Sequence, residues 1–212
     1  LAILSQLKLA DDPTIAPVVR YLQNEQRHPL KSRQPFDEGR VTNLILGNNA
    51  TAVDGAGIEA ERLGYSHAML SANAPEGPAE VVGRHLAEMA ILMRDKSGPD
   101  CLISGGEPTV TLVDELRRGK GGRNQQLALA ALIQLGFCQE IALLSAGTDG
   151  EDGPTDAAGA FVTEEVVRTS REKGLNARDY LGRNDAYHFF QAIGGRLLAG
   201  PTHTNVCDLR VI

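Results

Sequence analysis

Cys101-Leu102-Ile103-Ser104-Gly105-Gly106 reads as a buried strand that runs straight into a glycine turn. Upstream, Pro78 opens a helix whose apolar stripe is Val82, Leu86, Met89 and Met93. Before it, His67 to Leu70 predicts another short strand. A helix with Val53, Ala56, Ala60 and Leu63 on one face comes earlier still, preceded by the apolar run Val41 to Leu46. Strand, helix, strand, helix, strand is the order of a parallel sheet with crossover helices.

Downstream the pattern is less regular. Thr109 to Val113, Ile141 to Ser145, Ala160 to Thr163, Leu197 to Ala199 and Val206 to Ile212 predict strands. Helices are expected over Asn124 to Leu135 and Glu164 to Lys173, with a last one capped by Asn184-Asp185 and running through Ile193. The fold class is therefore α/β, a mainly parallel or mixed sheet with crossover helices. Residues 1 to 40 read as helical and then irregular, with Asp11-Asp12-Pro13 as a helix start and His28 to Arg40 as a linker. Leu stands first, within a helix already under way, which is the expectation for a fragment of a longer chain.

Composition narrows the function. The 212 residues are 42% hydrophobic and only 4% aromatic, without Trp, so the core is aliphatic. A net charge of -6 argues against non-specific nucleic-acid or membrane-surface binding, which needs a basic face. No stretch approaches the roughly 18 apolar residues of a membrane span. Cys101, Cys138 and Cys207 lack zinc-type spacing, and their odd number suits a reduced, cytoplasmic setting.

The chemistry-bearing residues fall in glycine-rich stretches at strand ends or helix starts, where open α/β sheets bind ligands. Gly105 and Gly106 allow close backbone approach to an anion, with Glu107 beside them. Gly119-Lys120-Gly121-Gly122-Arg123-Asn124 leads glycines and cations into a helix N-terminus, an anion-binding arrangement that is not a Walker A loop. Thr148, Asp149, Asp152 and Asp156 belong to one acidic loop after a buried strand, and such crowding costs electrostatic energy unless an Arg or a cation neutralises it, Mg²⁺ being one way to do so. Thr204 and Asn205 follow Gly200-Pro201-Thr202. Gly55-Ala56-Gly57-Ile58-Glu59-Ala60 fits a dinucleotide pattern formally, but it lies inside a helix, too far from the strand for that geometry.

Taken together and in order, these stretches resemble the class II glycerate kinases, whose C-terminal module is called the MOFRL domain. The matching residues are Ser104 to Glu107, Gly121 to Gln125, Gly147 to Gly150 with Asp152 to Gly159, Asn184-Asp185, and Gly200 to Thr202 with Thr204 to Val206. His203 and Cys207 stand where the family usually has Gly and Asn. The resemblance implies a MOFRL-like α/β domain over 99–212, and the last strand-helix-strand-helix of a Rossmann-like domain over 41–98. Residues 1–40 are then a helical segment and linker from the end of that domain.

The resemblance further implies ATP-dependent phosphorylation of D-glycerate, giving 2-phosphoglycerate, with Mg²⁺. It implies a missing N-terminal domain as partner, so that this chain alone is inactive, and leaves a homodimer open. Under this reading Asp149, Asp152 and Asp156 hold Mg²⁺, and Arg123 faces the transferring phosphoryl group or the glycerate carboxylate. Glu107 and Asn124 orient substrate or metal. Gly105, Gly106, Gly121, Gly122, Thr148, Thr204 and Asn205 complete the binding surface. Arg123→Ala is expected to remove activity without unfolding the protein. The alternatives are an NAD(P)H-dependent hydroxypyruvate reductase, a label some relatives carry, or a non-catalytic nucleotide- or metabolite-binding module.

Overall fold

A computed structural model describes residues 1–6, 9–27, 42–71, 75–137 and 139–212. The expected linker from His28 to Arg40, as well as Val41 and Cys138, lie outside the described residues. The chain divides into two compact units, Leu1–Leu44 and Ile45–Ile212. The first holds helices α1 (Ala2–Gln6) and α2 (Ala16–Arg27). The Asp12 carboxylate accepts from the Thr14 backbone N–H at 2.8 Å and hydroxyl at 2.6 Å, a local turn that delays the helix to Ala16.

The second unit contains α3 (Asn49–Arg62), β1 (His67–Leu70), α4 (Ala79–Asp95), β2 (Cys101–Gly106) and α5 (Arg123–Leu135). It continues with β3 (Leu143–Gly147), β4 (Gly159–Val162), α6 (Glu164–Glu172), α7 (Ala177–Gly182), α8 (Ala186–Ile193), β5 (Arg196–Leu197) and β6 (Asp208–Val211). α3 starts with a capping box: the Asn48 side chain accepts from the Thr51 N–H, and the Thr51 hydroxyl accepts from the Asn48 N–H. In this helix Gly57 lies close against the side chains of His67 and Met69 of β1, where an added Cβ would make one of them move.

The strands form one mixed sheet in the order β1-β2-β6-β3-β4-β5. β1 and β2 pair in parallel through the α4 crossover. The later pairings are antiparallel, with β6 inserted between β2 and β3. Two expected strands do not form. Residues 42–48 have no ladder partner among the described residues, and Ile45 and Leu46 are exposed. Thr109 makes only a single bridge to Pro78, and the Val113 N–H is taken by the Asn184 side chain at 2.9 Å.

Helix α5 is the centre of the core. Asn124 to Leu132 and Leu135 are all buried, as befits a helix enclosed on every side. It lies against β3, β4 and α4, and Gly83 of α4 touches its backbone at Leu127. On the sheet's other face α3 covers Ile103, with Leu209 and Val211 beside it. The alternation along β6 then turns Asp208 and Arg210 to the α5 side. Gly106 and Gly147, the last residues of β2 and β3, both pair with Asp208, the first residue of β6. These three ends make one rim of the sheet.

Candidate active site at the sheet rim

Arg123, the first residue of α5, reaches this rim. Its Nε and Nη2 donate to the two carboxylate oxygens of Asp208 at 2.8 and 2.9 Å. The Asp208 side chain has no exposed surface, whereas that of Arg123 is 31% exposed. Nη1 of Arg123 lies 3.6 Å from Oε1 of Glu107, whose side chain is largely in solvent. The Asp208 hydrogen bonds raise the Arg123 guanidinium well above its ordinary pKa, against an opposing effect of burial, so the cation is permanent.

The loops after β3 and before β6 are laced together next to this pair. The Thr148 hydroxyl donates to the Cys207 carbonyl at 2.7 Å and accepts from the Val206 N–H at 2.9 Å. The Thr202 N–H donates to the Asp149 carbonyl at 2.9 Å, and the Thr202 hydroxyl to the Thr148 carbonyl at 2.6 Å. The Asn205 amide donates to Oδ2 of Asp149 at 3.0 Å, while its Oδ1 accepts from the Cys207 N–H at 3.0 Å. Cys207 closes the circuit, its Sγ 3.7 Å from Oε2 of Glu107. Burial and then the Glu107 charge push this thiol above its ordinary pKa. Thr204 is exposed on the same loop.

Several expectations need correction. Asp152 is not available to a metal: it is 2% exposed, and its carboxylate accepts from the backbone and side-chain N–H groups of both Asn124 and Gln125, at 2.8 to 3.3 Å. Burial pushes its pKa up while these four donors pull it down. Asn124 is fully buried, bonded to Asp152 and to the Ser145 hydroxyl, and so faces no substrate. Asp156 turns away to Arg196 and to the Tyr187 hydroxyl, which lowers its pKa.

The glycines are also spent on protein. A Cβ on Gly105 would overlap the Asn49 carboxamide, one on Gly106 the Glu76 carboxylate, and one on Gly122 the Asp152 carboxylate. Close packing against these side chains favours glycine at all three positions. Gly121 has ordinary spacing to Ala186 and Tyr187, so the structure makes no such demand there. The Thr148 hydroxyl spends its proton and one lone pair in joining loops.

Among the described residues no three His, Cys, Asp or Glu side chains stand together as a complete metal site. Asp149 and Glu107 are rim carboxylates that keep solvent-facing surface: each Asp149 oxygen accepts a single protein donor, the Glu151 N–H at 3.1 Å and the Asn205 amide at 3.0 Å, and the Glu107 side chain is largely in solvent. They fit the habit of Mg²⁺, which takes one or two carboxylates and leaves its other positions to water and phosphate.

Residues that the local sequence pattern did not single out hold the rim together. Asn49 donates from one amide nitrogen to the carbonyls of Val206 and Asp208, both at 2.9 Å. Arg210, 1% exposed, forms a forked pair with Glu76 at 2.6 and 2.7 Å. The available signal was Asp208 and Arg210 alternating with Leu209 and Val211: two charges on one face of a buried strand each demand a counter-ion.

The α/β domain thus holds Arg123 at a sheet rim through buried Asp208, beside the Glu107 carboxylate and the interlocked loops. The MOFRL family model matches residues 100–208, and the chain belongs to that family. It is similar to the glycerate kinase of Bos taurus, 38% identical in an alignment that covers 82% of this chain and 42% of the relative. The glycerate 2-kinase of Pyrococcus horikoshii is 35% identical over 193 residues, covering 89% of this chain and 42% of that protein. A solved glycerate kinase from Thermotoga maritima superposes with a TM-score of 0.71 at 37% identity, covering 78% of this chain and 40% of that one. The chain thus spans about two fifths of the length of these relatives.

Proposed function

We propose that the complete enzyme transfers the γ-phosphoryl group of ATP to D-glycerate, giving 2-phosphoglycerate, and that this chain contributes one wall of the active-site cleft. The observation that carries the reading is Arg123, fixed by buried Asp208 and still 31% exposed at the rim, with Nη1 3.6 Å from Glu107. The names of the similar proteins supply the substrate. Residues 41–98 are read as the tail of a Rossmann-like domain, 99–212 as the MOFRL module, and the opposite wall as a part of the enzyme beyond this chain.

In this reading the glycerate hydroxyl oxygen attacks the γ-phosphorus, the bridging oxygen leaves with ADP, and the hydroxyl proton is released. Arg123 neutralises charge on the transferring group or grips the glycerate carboxylate. Asn205 orients Asp149, and Thr204 lies on the exposed edge of the same loop. Asp149 and Glu107 are the residues that would hold Mg²⁺, and the ion would supply positive charge to offset that of the phosphates. No helix among the described residues is long and apolar enough to cross a membrane, and the free thiols of Cys101 and Cys207 suit a reducing cytoplasm.

The test is product analysis with the complete enzyme. ADP that appears only when D-glycerate, ATP and Mg²⁺ are all present supports the proposal. Consumption of NAD(P)H with hydroxypyruvate, and no ADP from glycerate, overturns it in favour of a reductase. Tight nucleotide binding without turnover of either substrate favours a binding module.

A further inference from the structure

We infer that Asp208 is the positioning residue for Arg123, setting which edge of the guanidinium an anion can meet; the catalytic part of this inference rests on the kinase reading above. A guanidinium offers its N–H groups in a planar fork with more than one usable edge. Asp208 occupies the side edge, formed by Nε and Nη2. The outward N–H groups of Nη1 and Nη2 remain, and these form a second fork at the end of the side chain. Glu107 stands off at 3.6 Å from Nη1, beyond hydrogen-bond reach, and its exposed side chain is free to turn aside. A carboxylate or phosphoryl group therefore meets Arg123 end-on, in one orientation.

Asp208 can act as a fixed base for this because its own backbone is held on three sides. It pairs with Gly106 of β2 and with Gly147 of β3, and its carbonyl accepts from the Asn49 amide at 2.9 Å. Two residues along, Arg210 ties the same strand to Glu76. The carboxylate itself is wholly buried, so water does not compete with it for Arg123. Without it the long arginine side chain, anchored only at the start of α5, would sample many rotamers at the rim.

Two measurements on the complete enzyme test this. Nitrogen NMR of the arginine side chains, with inorganic phosphate as the probe, is expected to show a slowly exchanging Arg123 Nε–H in the unaltered enzyme. Phosphate should move the Arg123 Nη signals and leave Nε in place. An Nε–H that exchanges like that of a surface arginine, or that shifts with phosphate as much as Nη does, overturns the proposal without any need for a variant. Asp208→Asn should then lower kcat/KM for D-glycerate by about 100-fold, the scale of a small misplacement at a reacting centre. Adding Arg123→Lys to it should cost little more than Arg123→Lys alone. Fully additive losses, or activity of Asp208→Asn within about twofold of the unaltered enzyme, contradict the inference. If the unaltered enzyme makes no ADP from glycerate, the kinase reading falls, and the Nε and Nη signals alone judge Asp208. They judge it equally if Asp208→Asn does not fold.

Discussion

The carboxylate of Asp152 closes the first turn of α5, accepting from the backbone N–H of Asn124 at 3.0 Å and of Gln125 at 2.8 Å. It does what a capping side chain does, but from a loop that lies 28 residues further along the chain than Asn124. The helix it caps is the one that presents Arg123, so the acidic loop serves the rim by fixing the helix. Asp152→Asn would put an amide donor against donors that are already buried. The expected cost is about 2 kcal/mol or more, read as a lower urea midpoint. An unchanged midpoint would mean that the cap does not hold α5.

The Glu76–Arg210 pair leads to a second expectation. The Arg210 side chain is 2% exposed, and Glu76 is its forked carboxylate partner. Glu76→Gln leaves the guanidinium buried without a counter-charge and should destabilise the fold by roughly 3 kcal/mol. Thermal unfolding of the variant beside the parent protein checks this. A loss of only a few tenths would show that Arg210 finds another partner.

Cys207 offers a pH readout of the rim. Its thiol is pushed up by burial and by the neighbouring Glu107 charge, so the thiolate forms late as pH rises. Removing that negative charge favours the thiolate, lowers the pKa and increases the thiolate fraction at a given pH. With Cys101 and Cys138 replaced by Ser, Glu107→Gln should speed alkylation of Cys207 at pH 8 by roughly threefold. Slower or unchanged alkylation would separate the two side chains. Cys207 also adopts φ +68°, a conformation Asn tolerates better, so Cys207→Asn should raise stability by about 0.5–1 kcal/mol in denaturant melts.

Much of the fold is legible in local pattern. His67–Leu70 and the strand from Cys101 stand out as apolar runs beside glycine, and α5 as a continuous apolar helix. α7 has a readable start as well, since the Asn176 side chain accepts from the Asp179 N–H in the spacing a helix N-terminus uses, but its six residues, with Ala177, Tyr180 and Leu181 against the core, are too few for a helical rhythm to stand out. The apolar run at 41–46 looked like a strand because composition reports burial preference and not the presence of a pairing partner. The antiparallel course of β6 has no local signature at all.

The site was legible in its glycines and charges but not in their partners. Arg123 and Asp208 are 85 residues apart, Glu76 and Arg210 134, and Asn49 and Val206 157. Spacing rules reach a few residues, so they could mark Asp152 as a carboxylate with no evident counter-charge but could not show that α5 claims it. The same limit applies to Gly105, Gly106 and Gly122. Their glycine character was plain, while the side chains that require it come from elsewhere in the chain.

The variant chosen to probe Arg123 follows from its partner. Arg123→Ala would strand the buried Asp208 carboxylate and lower stability together with activity, contrary to the expectation from sequence that the fold would be indifferent. Arg123→Lys keeps a cation for Asp208 but has no second fork. The decisive measurement is therefore D-glycerate-dependent ADP formation by the complete enzyme, unaltered and as Arg123→Lys, with the melting temperature of each. The site described above predicts robust turnover that falls by about 100-fold or more in the variant at a nearly unchanged melting temperature. Equal turnover by both proteins would remove Arg123 from the chemistry and contradict the assignment of the rim as the active site.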